Sequence, residues 1–201
     1  MYMKKEISND VTSTFRILYK LNLMRDVQKH GKITFLELLW FIPKTFFKRI
    51  FFTYSVMGYV LEPLNKKHIR PRIWRFLGCN VGKNVHIGHF VVPDFGNAER
   101  IHIADDVVIS NGVSILCHRR DTTNYHKGDK ANCLPFKFED VYIEEGVQIG
   151  LNCTIMPGVT IGKGSIIGSC SLVTKSIPAW SIAVGSPAKV IKSVLPENEE
   201  G

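Results

Sequence analysis

From Val81 onward the aliphatic residues return at every sixth position. The series runs Val81, Ile87, then Ile103, Ile109 and Ile115, and resumes as Ile143, Ile149, Ile155, Ile161, Ile167 and Val173. The next residue is often glycine (Gly82, Gly88, Gly150, Gly162, Gly168), and the fifth is small or β-branched, as at Val85, Val107, Val147, Cys153 and Ser171. A period of six does not match the 3.6 of a helix, and an ordinary meander would need turn signals separating longer strands. It predicts a coil with three flat walls, each hexapeptide giving one short strand and one corner, with aliphatic side chains stacked inside. Residues 143–178 keep the pattern without a break, thirty-six residues or two turns of eighteen. The frame breaks modestly at 93–102 and completely at 118–140, HRRDTTNYHKGDKANCLPFKFED. A rigid scaffold has no structural need of such a polar excursion, and loops that leave a scaffold are where chemistry concentrates.

Before the coil the pattern is helical. Residues 8–30 have Ser8, Asn9 and Asp10 as caps, Val11, Phe15 and Leu18 at helical spacing, and Gly31 as a stop. Thr34 and Glu37 form a capping box that opens a second helix, which Pro43 is expected to end or kink. A basic and aromatic segment follows, Phe46, Phe47, Ile50, Phe51 and Phe52 among Lys44, Lys48 and Arg49. It either lies in a membrane interface, through 44–61, or covers the apolar flank of a neighbouring domain. A short helix after Pro71 carries Ile73, Trp74 and Leu77 and stops at Gly78. The expected division is a helical region over 1–75, a coil over 76–194 and an acidic tail over 195–201.

Charge sharpens this division. Residues 1–75 hold fifteen Lys and Arg against five Asp and Glu, whereas residues 76–201 hold eleven against thirteen. The basic region could meet anionic lipid, nucleic acid or a phosphorylated substrate; the reading adopted has no nucleic-acid partner. Twelve apolar residues at 50–61 fall short of the roughly 20 needed to cross a bilayer. The five cysteines are far apart and form no CxxC pair, which argues against a zinc site or a disulfide framework. With no secretory leader pattern in the first thirty residues, a cytoplasmic setting is expected, at most peripheral to the inner membrane face.

The run VQIGLNCTIMPGVTIGKGSIIGSCSLVTKSIPAWSIAVGSPAKVIK over 147–192, with VVISNGVSILCH over 107–118, resembles the hexapeptide-repeat acyltransferases. The similarity is greatest to the sugar O-acetyltransferase group of maltose and galactoside acetyltransferases, and covers about residues 76–192. It implies an all-β solenoid, a left-handed parallel β-helix with an N-terminal helical region and one excursion loop (118–140). It also implies a homotrimer with active sites between subunits, and acetyl-CoA as acyl donor with no metal. On this resemblance His118 is the general base, and His118-Arg-Arg-Asp121 is also similar to the His-Arg-Met-Asp of streptogramin acetyltransferases. The CoA positions fall on Leu151, Ser169, Thr174, Lys175, Lys189 and Lys192. The acceptor side falls on Asp94, which could bind acceptor hydroxyls or orient His118, and on Arg119, Arg120 and Asp121.

The chemistry accounts for the histidine. A sugar hydroxyl is a poor nucleophile, and an imidazole with a pKa near about 6.5 suits removal of its proton at neutral pH. No covalent enzyme intermediate is required, so Cys117 reads as a wall residue, and His126 is the rival base. The expected function is acetyl transfer to a saccharide or glycan precursor. Serine or antibiotic acceptors, a longer acyl chain or an amine acceptor, and a non-catalytic or metal-binding trimer stay open as alternatives. For the last, His86, His89, His102, His118 and His126 show no metal triad in the sequence.

Overall fold

The computed structural model describes residues 11–21, 30–58 and 64–194; the acidic tail and part of the expected first helix lie outside them. The chain forms two compact units, Met1–Ile50 and Phe51–Gly201. In the first, helix α1 (Ser13–Lys20) is capped by Thr12, whose Oγ1 accepts from the Phe15 N–H at 3.2 Å. Thr12 therefore caps the described helix, four to two residues beyond Ser8 to Asp10, and its hydroxyl donates to the Ile33 carbonyl. The expected capping box opens helix α2 (Phe35–Met57): the Thr34 N–H donates to Glu37 at 2.8 Å and the Glu37 N–H to Thr34 at 3.3 Å. Helix α2 runs through Pro43, which therefore does not end it. The proline leaves the Leu39 carbonyl without its helical partner, and Leu39 is on the exposed side, where water can supply one.

The second unit begins at Phe51, and helix α3 (Arg70–Leu77), which spans the expected boundary after residue 75, packs into the coil core. Ile73, Trp74 and Leu77 are buried in one cluster with Cys79, Val81 and Ile87. Trp74 donates to Ser55 Oγ at 2.9 Å. Fully buried Arg70 donates to the carbonyls of Ser55, Gly58 and Ile87 at 2.9, 2.9 and 3.2 Å. The cap thus satisfies a buried charge with backbone acceptors, as a coil end needs to be closed without an exposed apolar face.

Strands β1 (Asn80–Val81), β2 (His86–Ile87) and β3 (Val92–Pro93) lie on three different walls. Strands β4 (Ile101–Ile103), β5 (Val108–Ile109) and β6 (Ser114–Ile115) return to the same walls in the same order. The excursion follows, opened and closed by an antiparallel hairpin of β7 (His118–Arg120) and β8 (Phe136–Phe138). Then β9 (Val141–Ile143), β10 (Gln148–Ile149) and β11 (Thr154–Ile155), and β12 (Thr160–Ile161), β13 (Ile166–Ile167) and β14 (Leu172–Val173), repeat the rotation. Parallel sheets visited in rotation make the chain a three-walled coil with helices before it. Strand β15 (Ser181–Gly185) joins the second wall beside β13, and β16 (Ala188–Ser193) closes that wall antiparallel.

Register stacks like on like: Ile103 on Ile143 on Ile161, Ile109 on Ile149 on Ile167, and Ile115 on Ile155 on Val173, all essentially buried. Each isoleucine so buried contributes about 1.5–3 kcal/mol. The fourth residue of a repeat turns the corner in the left-handed region, as at Asn84, Asp106 and Asn152 with φ of 53°, 59° and 54°. At the second position the next coil presses against the backbone. A Cβ at Gly162 would lie 2.3 Å from the Ala179 nitrogen. Gly162→Ala is therefore expected to destabilise the coil by about 1–3 kcal/mol, read as a lower thermal midpoint. Gly96→Ala, where a Cβ meets nothing within 4 Å, is the matched control and should leave that midpoint nearly unchanged.

Candidate active site

The third wall ends in two places that matter. On the lower coil β3 stops at Pro93, and Asp94 begins a 3₁₀ segment, Phe95–Arg100, that fills the first break in the repeat. On the next coil β6 stops at Ile115, paired with Pro93, so Cys117 and His118 emerge one strand above Asp94. The Asp94 side chain is buried, and it does not cap the 3₁₀ segment that it precedes. One oxygen accepts from the Cys117 N–H at 3.0 Å and from His118 Nδ1 in a very short contact. The other accepts from Asn97 Nδ2 at 3.0 Å. Three donors satisfy this buried carboxylate.

These partners fix the histidine. An ionised carboxylate only accepts, so the proton between the two groups sits on His118 Nδ1. Asn97 Nδ2 is 3.3 Å from the same nitrogen, but it too is a donor, and its proton goes to Asp94. With Nδ1 committed, Nε2 keeps its lone pair, on a side chain 37% exposed. The ring meets Phe136 edge-on at 5.3 Å and Phe138 at 6.2 Å, both on the returning hairpin strand. Arg120 lies over Phe136 at 3.9 Å and Arg100 over Phe138 at 5.6 Å.

Behind this cluster Asp140 binds Arg100 Nη1 at 2.6 Å and His102 Nε2 at 3.1 Å. Burial opposes its ionisation, but the bonds from His102 and Arg100 outweigh that and hold its carboxyl below the usual range. His102 in turn stacks on Tyr142 at 4.6 Å. Cys117 is fully buried, and burial first, with the Asp94 charge next, pushes its thiol up to about 12. A thiol so raised is protonated at neutral pH and is a poor nucleophile.

The other expected positions separate into groups. Arg119 pairs with Glu139 at 3.0 Å, alongside Lys137 at 2.9 Å, so it braces the hairpin. Asp121 accepts from the Thr123 N–H and hydroxyl at 3.0 and 2.6 Å, which lower its pKa and occupy it in a local turn. His126 stands 80% exposed on the excursion, 3.8 Å from Asp129 and outside the His118 network. Thr174 and Lys175 follow β14 on the corner that carries His118. The register Ile115, Ile155, Val173 places them two coils away, about 10 Å.

Leu151 and Ser169 occupy a different corner, between the second and third walls. They line a groove of about 380 Å³ with Ser110, Asn111 and Lys66. Leu151 donates its N–H to Ser169 Oγ at 3.1 Å and accepts from the Cys170 N–H at 2.7 Å, so its backbone is bonded within the coil. Lys189 and Lys192 pair with Val184 and Ile182 on the outer face of the second wall. Among the described residues no three His, Cys, Asp or Glu are grouped to hold a metal.

Sequence reasoning missed Asn97, Phe136 and Phe138. The alternation Phe136-Lys137-Phe138 was the available sign of a strand inside a segment read as loop. Asn97 left none beyond its place three residues after Asp94.

Comparison with known proteins bears on this arrangement. Residues 140–175 match the family model described as bacterial transferase hexapeptide (six repeats). A galactoside O-acetyltransferase of Lactococcus lactis is 34% identical over 119 residues, 56% of this chain and 55% of that one. The structure of a maltose O-acetyltransferase from Clostridium difficile 630 superimposes with a TM-score of 0.59 at 25% identity, covering 77% of this chain and 88% of that one. A hexapeptide-repeat acetyltransferase from Vibrio cholerae, complexed with acetyl coenzyme A, shares the fold with a TM-score of 0.59 at 18% identity, covering 86% of this chain and all of that one. The chain spans less than two thirds of the length of the curated relatives it matches, 61% to 55% for the first three. In repeat, in fold and in aligned sequence, the chain is similar to the hexapeptide-repeat transferases, the maltose and galactoside O-acetyltransferases among them.

Proposed function

We propose that the protein transfers an acetyl group from acetyl-CoA to a hydroxyl of a saccharide or glycan precursor, with His118 as general base. The observation that carries the reading is the Asp94–His118 pair, a buried carboxylate that commits Nδ1 and leaves Nε2 as a base at the mouth of the excursion. His118 Nε2 takes the proton of the acceptor hydroxyl as its oxygen attacks, and the imidazolium later returns it to the departing thiolate. Asp94 stabilises the imidazolium between these steps. The donor supplies a thioester acetyl. Leu151 and Ser169 beside their groove, Thr174 with its hydroxyl, and Lys175, Lys189 and Lys192 with their charge are suited to its pantetheine and phosphate portions.

Two features support assembly. His118 and Lys175 share one corner, whereas Leu151 and Ser169 share another, so a single chain does not gather the set. We infer a homotrimer of left-handed β-helical solenoids in which a neighbouring copy joins the two corners, as the family resemblance implies. Five unpaired cysteines suit a reducing, cytoplasmic setting.

Two outcomes test this reading. His118→Ala should fold and assemble normally but lower kcat about 10²–10⁴-fold, measured as CoA release with a panel of glycan acceptors. His126→Ala should keep most activity. A His118→Ala enzyme retaining more than about a third of the wild-type rate would rule out His118 as the base and turn the test to His126. CoA affinity, measured by calorimetry, should weaken with salt and weaken further in Lys175→Ala or Lys189→Ala. Unchanged affinity in both would move the donor site elsewhere.

A further inference from the structure

Helix α2 leaves an apolar surface uncovered within the first unit. At about 100° per residue, Leu36, Leu39, Trp40, Ile42, Phe46 and Phe47 fall within an arc of about 160°. All six are exposed, Trp40 at 73% and Phe47 at 54%. The opposite side is the covered one: Leu38 and Phe41 are half-buried, with Phe41 edge-on to His30 at 5.3 Å. So the exposed arc is not the side by which the helix packs into its own unit. Its rims are basic. Lys44 lies about 40° beyond Trp40 with Lys48 next to it, and Arg49 lies about 20° before Ile42. The nearby acid, Glu37, is bonded to Thr34 in the helix cap.

We propose that this arc is a membrane-docking surface that takes the interface of an anionic bilayer. A helix lying in an interface needs a broad apolar face rich in Trp and Phe with cations along its rims at headgroup level, and this helix has each part. Residues 35–50 are about 24 Å long, and no described helix is long and apolar enough to cross a membrane. The helix therefore lies on the surface and does not span it. Charge favours lipid over a second copy of the chain. Residues 1–75 carry fifteen cations against five acids, so two such faces would meet cation to cation, whereas an anionic bilayer complements them. This surface is independent of the acetyl-transfer reading.

The test uses the full chain and sedimentation with vesicles of phosphatidylglycerol and phosphatidylcholine in equal parts, against vesicles of phosphatidylcholine alone. The protein should pellet with the anionic vesicles, and high salt should weaken the binding. Lys44→Gln with Arg49→Gln should lower the affinity roughly 30-fold. Trp40→Asp with Phe47→Asp should abolish it while circular dichroism and the size by light scattering stay unchanged. Trp40 emission should shift to the blue on binding, and Trp40→Phe should remove the shift but keep the binding. Failure to bind either vesicle overturns the proposal, and so does binding indifferent to these variants. A shift that survives Trp40→Phe overturns it by assigning the contact to Trp180. A change in oligomer size in the Trp40→Asp, Phe47→Asp protein without lipid overturns it in favour of a contact between copies.

Discussion

Ile109 stacks under Ile149, and Ile149 under Ile167, because strands on one wall pair in parallel with side chains in register. That stacking is demanding. A slip of one residue would turn every buried aliphatic outward, and the second-position glycines leave no room for a displaced coil. Corners are therefore placed as firmly as walls. Whatever side chain a corner carries inherits a position set by core packing, and not by the loop to which it belongs.

Asp94 and His118 show the benefit of such placement. They are separated by 24 residues in sequence, yet the pairing of Pro93 with Ile115 puts them on adjacent strands of one corner. The cost of burying the Asp94 charge is offset by donors that the fold supplies: a backbone N–H from Cys117, the Asn97 amide and the imidazole. Two breaks in the repeat thus act together. The first lets Asp94 turn inward under the 3₁₀ segment, and the second lets the chain leave the coil directly after His118. The phenylalanines of the returning strand then pack against the ring. An imidazole held this way needs no reorganisation to present Nε2.

The coil was legible because its signal is periodic and redundant: eleven aliphatic positions repeat one statement. His118 was legible because it stands where the repeat stops. The partners were harder. Asp94 was visible as a candidate with two alternative roles, and the alignment of adjacent coils brings it to His118, as the second of these, orienting the histidine, requires. Asn97 and the Phe136 strand depend on how an irregular segment folds, which no period encodes. Pro43 does not end α2, because on the solvent side of the helix water can satisfy the carbonyl that the proline frees. Trp74 lies one residue before the expected boundary at residue 75. A helical texture ends there, but Trp74 is packed in the coil core, and burial, not secondary structure, defines the unit.

At the centre of this account stands an imidazole whose proton is fixed on Nδ1 by Asp94, and nitrogen NMR reads that directly. In ¹⁵N-histidine-labelled protein, with His118 assigned by loss of its signals in His118→Gln, the resonances above neutral pH should show Nδ1 protonated and Nε2 bare. The Asp94→Asn protein should lose that fixed tautomer. An Nε2-protonated His118 in the wild type, or a tautomer unaltered in Asp94→Asn, would contradict the account.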